Sequence, residues 1–599
     1  MSKSVLNEPL SFAQLLTTYL ESNNSLGEDN NGELEIKFGT RKIKEITKNN
    51  FDNVIHQLLS KNFDFYGDPQ YYLSIKIDDI RTEIHSLKNI QEYCRTNSLP
   101  KEYNNEGYKF NEKKLYSIGD KKIRAQVNND AFNFRTAYSI EKNISSNSEE
   151  IQNLIKSWSV SKKFYRLINR FTMINKEFPF KIDLSIVRES LNEKQSFKDS
   201  NILTINGKYE IEIEAINEEA SKMSPQELDK SLKKVVKYIL SGLQDTNYPI
   251  TYIEQNIVTQ NYLSMVKGSE FVKDSIITPK DFIGPSSTTL QIANISEVNP
   301  DSNIVNIRNK YTVTDKADGD RKMLYISDTG KIYLITTQLN IQFTGANTNN
   351  SKLFNTLLDG EHIKHNKRGL FINLYAAFDI YFKNNVDIRK LEFGQTTDEK
   401  LPNSSRLDIL KSVINSLDAT LINTKSPSPI RIENKKFYEV TKTQTIFDAC
   451  NTINEDINSG QYEYLTDGLI FTPSNYGVGL NNTMQRPKSY KHTWEQSLKW
   501  KPAEYNTIDF LIITKKLQTG AEHIGNKFEK GLDVSTIDQI VQYKTMVLRV
   551  GFDIKNTDIL ILVKILLMMT ILNEQILIMK KNINLFNSFQ VIHMIRRQV

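Results

Sequence analysis

Residues 311–326 read YTVTDKADGDRKMLYI, and Lys316 near their centre is an amine that could attack phosphorus. For that chemistry the amine must shed its proton, which neighbouring cations or a metal assist. The site also needs a basic group for phosphates, an acidic one for metal and a flat one for a base. These follow downstream in order. Arg321 completes KADGDR, LLDGEHI supplies Asp359 and Glu361, and AAFDIYF supplies Phe378 and Asp379. TDGLIFTP then brings Asp467 on a strand, and LKWKP places Lys499 and Lys501 on one strand face around Trp500. Singly, each stretch has an ordinary reading; Asp318-Gly319 between alternating apolar runs predicts a tight hairpin turn with a solvated lysine beside it. Occurring together, they point to covalent nucleotide chemistry.

A second constellation lies upstream. Glu33, Glu35 and Lys37 alternate in ELEIKFG, and Glu210, Glu212 and Glu214 alternate in YEIEIEAI, so each set occupies one face of a strand. Arg166 and Arg170 share a face in FYRLINRF, as do Lys181 and Asp183 in KIDLSIV, while Arg81, Glu83 and Arg135 stand in similar contexts. One strand of this kind reads equally well as a wet outer face. If all the polar faces point inward around a closed barrel, however, carboxylates and cations crowd a confined space where unpaired charge is costly. The ligand that fits is a polyphosphate held by Arg and Lys, with Mg²⁺ or Mn²⁺ bridging it to the glutamates.

Both constellations resemble known families. ELEIK is similar to the ExExK signature of the triphosphate tunnel metalloenzymes and YEIEIE to their second acidic strand, over roughly residues 30–220. The resemblance implies metal contacts at Glu33, Glu35, Glu210, Glu212 and Glu214, and triphosphate contacts at Lys37, Arg81, Arg135, Arg166, Arg170, Lys181 and Asp183. KADG, LLDGEHI, FDIYF, DGLIFT and LKWKP resemble the motif series of the covalent nucleotidyltransferases, which include mRNA guanylyltransferases and polynucleotide ligases. That implies a nucleotide carried on Lys316, a ribose contact from Arg321, and ribose or metal contacts from Glu361 and Asp467. It also implies a base stacked on Phe378 and phosphates held by Lys499 and Lys501. A tunnel that removes a γ-phosphate, joined to a lysine that adds GMP, resembles the capping enzymes of large DNA viruses. GTP and the 5′ end of nascent mRNA are then the expected substrates, with an ATP-dependent ligase, or a truncated form without full transferase activity, as the alternatives. The same resemblance implies a place in the virion or the host cytoplasm, at a viral factory, and partnership with a viral RNA polymerase and a methyltransferase module.

The expected fold is therefore multidomain α+β. An antiparallel β-tunnel domain occupies 1–245, an α+β nucleotidyltransferase domain 246–505, and the start of an OB-fold 506–555. Residues 556–599 crowd Ile, Leu, Met and Asn and read as an anomalous tail, as from a frame-shifted gene. No Arg-x-Asp-Lys motif follows residue 507, where such an OB-fold is expected to carry one, and the sequence stops before a methyltransferase domain could begin. Helices are expected over 8–22, 50–61 and 228–244, and a domain connection around 245–285. The 599 residues carry a formal charge of +6, which permits a phosphate-rich partner without demanding one. Cys94 and Cys450 are the only cysteines, which excludes a disulfide framework and a cysteine zinc site and leaves oxygen ligands for any metal. No apolar run is long enough to cross a bilayer, so no membrane partner is expected. Trp158 and Trp494 could stack on RNA bases, although most aromatics in a chain this size are core.

Overall fold

The computed structural model describes residues 10–23, 26, 30–100, 107–118, 123–394, 405–440, 444–482, 485–505, 511–520, 523–528, 540–550 and 589–595. The chain divides into two compact units, 1–500 and 501–599.

The first unit opens with eight strands: β1 (Asn30–Phe38), β2 (Gln70–Ile77), β3 (Ile80–His85), β4 (Tyr108–Leu115), β5 (Phe134–Asn143), β6 (Phe164–Ile174), β7 (Phe180–Glu189) and β8 (Lys208–Ala215). They close into an antiparallel barrel in the order β1-β8-β7-β6-β2-β3-β4-β5, with β5 pairing back onto β1. Closure removes the sheet edges and leaves one face inside and one outside. Here the apolar face is the outer one. Leu34, Ile36, Phe38, Ile182, Leu184, Ile211 and Ile213 pack outward against the helices α1 (Phe12–Asn23), α2 (Lys48–Leu59) and, further along the chain, Pro225–Gln244. Elsewhere Leu73, Ile75 and Ile84 pack outward with Ile90, Tyr93, Ile151 and Leu154. The helix Pro225–Gln244 lies so close to α2 that a Cβ on Gly242 would stand 2.5 Å from Val54 Cα. A polar lumen is the consequence of this inversion.

A helix, Tyr252–Lys267, stands where the sequence suggested only a connection. Beyond it come β9 (Tyr311–Ala317), β10 (Asp320–Ile326), β11 (Lys331–Thr336), β12 (Ile341–Thr348), β13 (Thr356–His365), β14 (Phe371–Lys383), β15 (Thr466–Pro473) and β16 (Thr493–Trp500). They form two sheets. One runs β16-β15-β9, flanked by Ser286–Thr289 and Tyr438–Glu439; the other runs β14-β13-β10-β11-β12, with short strands at its margins. β9 and β10 do not pair with each other: β9 pairs with β15, and β10 with β11 and β13. Asp318-Gly319 is therefore a crossing between sheets and not the hairpin turn its sequence suggested. Trp158 and Trp494 are 3% and 4% exposed; Trp158 belongs to the core, while Trp494 lines a cavity shared with Lys316.

In the second unit Leu511–Thr514, Ile524–Phe528 and Phe589–Ile595 all pair antiparallel with a long strand, Ile540–Val550. The expected tail thus contributes a strand at 589–595, while the rest of 551–588 lies outside the described residues. Among the described residues no helix is long and apolar enough to cross a membrane.

Candidate active sites

The barrel register brings the two acidic strands side by side. Glu35 pairs with Glu214 and Lys37 with Glu212 across β1 and β8. Period-two alternation then turns Glu33, Glu35, Lys37, Glu210, Glu212 and Glu214 to the lumen, since their neighbours fill the outer core. β7 adds Lys181, Asp183 and Ser185, and β6 adds Arg166 and Arg170. The lumen is laced with ion pairs. Lys37 pairs with Glu212, Arg166 Nη2 donates to Glu210 at 2.7 Å, Arg170 reaches Asp183 at 3.1 Å and Glu212 at 3.4 Å, and Lys181 meets Glu214 at 2.9 Å. All the tunnel residues expected from sequence therefore share one lumen, Arg81 and Arg135 included. Arg135 pairs with Lys37 in the β1–β5 register and Arg81 with Asn111 in β3–β4, and both faces continue the inner wall. Arg135 Nε is buried with no hydrogen-bond partner among the described residues.

Among the charged lumen residues that escaped sequence reading are Lys113 and Glu141. Lys113 Nζ bridges Glu33 at 2.7 Å and Glu35 at 2.9 Å, and Glu141 faces it from β5. Their strands, YKFNEKKL and FRTAYSIEKN, carry charge on both faces near these positions, which hides the alternation.

The lumen's electrostatics vary along its wall. Burial pushes the Glu214 carboxyl up, and the charge of Glu33 adds to this, bringing it to about 7. Burial and Glu33 also raise Glu141. Burial acts upward on Glu212 as well, but Lys37 and Arg170 outweigh it and hold that group at about 2. Carboxylates that repel one another inside a closed wall are the donor set a hard divalent cation relieves. Glu33, Glu35 and Glu214 fit such an ion, although among the described residues no three acidic or histidine side chains already converge as ligands.

The second site lies between the two later sheets. Lys316, near the end of β9, donates to Asp467 Oδ1 on β15 at 2.6 Å. Across the cleft, the Arg321 guanidinium on β10 is fixed by Asp359 on β13 through bonds of 3.1 and 2.6 Å and by the Pro285 carbonyl at 2.7 Å. Tyr381 donates to the same Asp359 at 2.6 Å. Arg321 lies 5.5 Å from the Phe378 ring centroid and 5.8 Å from that of Phe282. Gly284 leaves room beside it, since a Cβ there would stand 2.6 Å from Arg321 Nη2. Lys316, Arg321, Glu361 and Phe378 line one cavity, with Asp467 at its lysine. Glu361 is pushed up to about 7 by burial, against the pull of Lys435 and Arg321, and its Oε2 has no hydrogen-bond partner among the described residues. An orphaned carboxylate oxygen in such a cleft suits a ribose hydroxyl or a metal.

Lys499 pairs in register with Ile470 and shares the face of Ser497, and both Ile470 and Ser497 line the cavity. Lys501 follows the last residue of β16 and falls in the second unit, so the two lysines do not share one strand as the sequence suggested. Sequence reading also missed the supports beneath the cleft. Lys435 Nζ, buried and lining the cavity, holds both the carbonyl and, at 3.2 Å, the carboxylate of Asp315, the residue before Lys316. Tyr464 donates to the same carboxylate at 3.2 Å. Arg406, fully buried, clamps Asp379 beside Phe378 through bonds of 2.8 and 3.1 Å.

A strand-borne lysine in one sheet thus faces an arginine–aspartate pair in another across a cavity. Residues 300–502 match the family model of the mRNA capping enzyme catalytic domain. The chain is similar to a probable mRNA-capping enzyme of Acanthamoeba polyphaga mimivirus, 27% identical over 361 residues, which cover 54% of this chain and 27% of that protein. It is similar to the mRNA-capping enzyme of Danio rerio as well, 28% identical over 217 residues, covering 35% of this chain and 32% of the other. The matched region thus spans about a third or less of these two relatives. Among solved structures, the RNA triphosphatase domain of a trifunctional mimivirus mRNA capping enzyme aligns at 17% identity with a TM-score of 0.27, over 39% of this chain and 99% of that one.

Proposed function

We propose that this chain caps RNA 5′ ends in two stages: the barrel hydrolyses the 5′-triphosphate to a diphosphate, and Lys316 then transfers GMP from GTP to it. The observation that carries the proposal is the placement of Lys316 against Asp467, facing Arg321, Glu361 and Phe378 inside the segment that matches the capping-enzyme family.

In the tunnel, Lys37, Arg81, Arg135, Arg166, Arg170 and Lys181 bind the phosphate chain, exchanging glutamate partners for phosphate oxygens. Asp183 orients Arg170. Glu33, Glu35, Glu210, Glu212 and Glu214 would hold Mg²⁺ or Mn²⁺, which supplies Lewis acidity to the phosphoryl group.

In the cleft, Lys316 must be neutral to attack, and Asp467 Oδ1 is within reach to take its proton. The amine nitrogen bonds to the α-phosphorus of GTP as the bond to the β-phosphate oxygen breaks, releasing pyrophosphate. A terminal oxygen of the RNA diphosphate then attacks the same phosphorus, the P–N bond breaks, and Lys316 recovers its proton. Arg321 holds the ribose, Phe378 stacks on the base, and Lys499 holds phosphate. The strands of 511–550 serve as the start of an OB-fold, and a viral polymerase and a methyltransferase module complete the pathway in the virion or host cytoplasm.

Incubation with [α-³²P]GTP or [α-³²P]ATP, followed by a denaturing gel, tests the proposal. A GTP-specific adduct lost in Lys316→Ala supports it, and an ATP-only adduct assigns the chain to the ligases instead.

A further inference from the structure

The lumen is not polar throughout. On three adjacent strands Tyr72, Ile168 and Val187 pair in register and form an apolar cluster of their own, separate from the cores outside the barrel. They point inward, since Leu73 and Leu167 beside them fill the outer core. On the next strand His85 pairs with Tyr72, and the two rings stack with centroids 5.0 Å apart at 22°. The Arg170 guanidinium lies 6.0 Å from the Tyr72 ring. His85 is the last residue of β3, and 27% of its side chain is exposed, so the stack runs from the phosphate-binding cations to an opening. The edge of the same strands carries more aromatic surface. Phe65 pairs with Met173, Tyr66 donates its backbone N–H to the Thr172 carbonyl, and Tyr71 pairs with Asn169. These three are 50%, 65% and 42% exposed.

Tyr72, Ile168 and Val187 are themselves buried, 5%, 3% and 0% exposed, so the surface they present to a ligand is the His85 ring stacked on Tyr72; a phosphate chain gains nothing from such a ring, whereas a nucleobase does. We infer that this opening receives the 5′-terminal nucleoside of the triphosphate substrate: its base stacks on His85, backed by Tyr72, and its phosphates run inward past Arg170. Phe65 and Tyr71 lie on the outer face, with Met173 and Leu73, so they flank the outside of the rim and not the lumen. The inference rests on the tunnel reading above and adds to it a substrate class: nucleoside-bearing triphosphates in preference to inorganic polyphosphate.

The test measures kcat/KM for γ-phosphate release from triphosphate-ended RNA, GTP and inorganic tripolyphosphate, in the full chain and in His85→Ala, His85→Phe and Tyr72→Leu. In His85→Ala the RNA-to-tripolyphosphate ratio should fall about tenfold, the loss of one base–aromatic stack. His85→Phe should restore the ratio, and Tyr72→Leu should lower it in the same sense. Turnover of tripolyphosphate reports that each variant has folded. A ratio unmoved in His85→Ala, or equal loss on all three substrates, overturns the inference while leaving the tunnel's activity in place. Wild-type protein that releases phosphate from none of the three overturns the tunnel reading and the inference with it.

Discussion

Replacing Glu361 with Gln should stabilise the protein at pH 8 while impairing its chemistry. The carboxyl is displaced from its ordinary 4.5 to about 7, chiefly by burial, so the folded state resists its ionisation. Because the folded value lies above the unfolded one, the contribution of this group to stability is greatest below pH 4.5 and is lost as pH rises through 7. The displacement corresponds to about 3 kcal/mol as a ceiling, and relaxation around a polar cleft leaves about 1–3 kcal/mol. Glu361→Gln removes that penalty without removing the side chain's volume. Urea unfolding of both proteins at pH 8 and pH 5, followed by the domain's near-UV signal, is the assay. The variant should gain about 1–3 kcal/mol at pH 8 and little at pH 5, while its GTP adduct falls at least tenfold because the ribose or metal contact is lost. A variant less stable than wild type at pH 8, or a difference independent of pH, would show that Glu361 is already satisfied in the folded protein. The electrostatic account of the cleft would then fail.

Other perturbations separate the two sites. Lys316→Ala should abolish the covalent adduct, read on a denaturing gel, and leave γ-phosphate release from triphosphate RNA within about twofold, since Lys316 lies outside the barrel. Glu35→Ala or Glu212→Ala should cut phosphate release by at least about a hundredfold and spare the adduct; if both activities fall together, the two sites are not independent. Arg406→Ala strands Asp379 in the core and should cost about 3–5 kcal/mol in chemical denaturation, with Arg406→Lys recovering only part because the planar fork is lost.

What the sequence could reveal depended on whether a pattern was local. The tunnel was legible because charge alternates cleanly in ELEIKFG and YEIEIEAI, and strand geometry converts that into one charged face. Lys113 and Glu141 were not, because charges flank them on both faces of their strands. The inward Tyr72, Ile168 and Val187 were hidden for the opposite reason: apolar residues in a strand are assigned to a core by default, and only the register shows which side they take. Tyr252–Lys267 was missed as a helix because Ile253 and Ile257 stand exposed while Val258, Tyr262 and Leu263 are buried, so apolar residues surround it and blur the period. In the cleft, the residues within motifs were legible. Their supports, Lys435 beneath Asp315 and Arg406 beneath Asp379, come from segments 120 and 27 residues away, and no spacing rule reaches that far.

The crossing at Asp318-Gly319 joins these observations. A hairpin would have put Lys316 and Arg321 on neighbouring strands of one sheet, with their relation fixed by the ladder. Instead the two residues stand in different sheets on either side of the cavity, tied by a link of two residues. Each is anchored to its own side, Lys316 to Asp467 on β15 and Arg321 to Asp359 on β13. A ligand bridging the sheets therefore touches both anchors, and the short tether limits how far they can separate when it leaves. Gly319 fits this role through space and not through backbone strain. A Cβ there would approach the His362 carbonyl and Ile363 at 3.1 Å, pressing on the strand that carries Glu361. The Asp-Gly pair thus serves as the narrow link that holds Lys316 and Arg321 on opposite walls of one cavity.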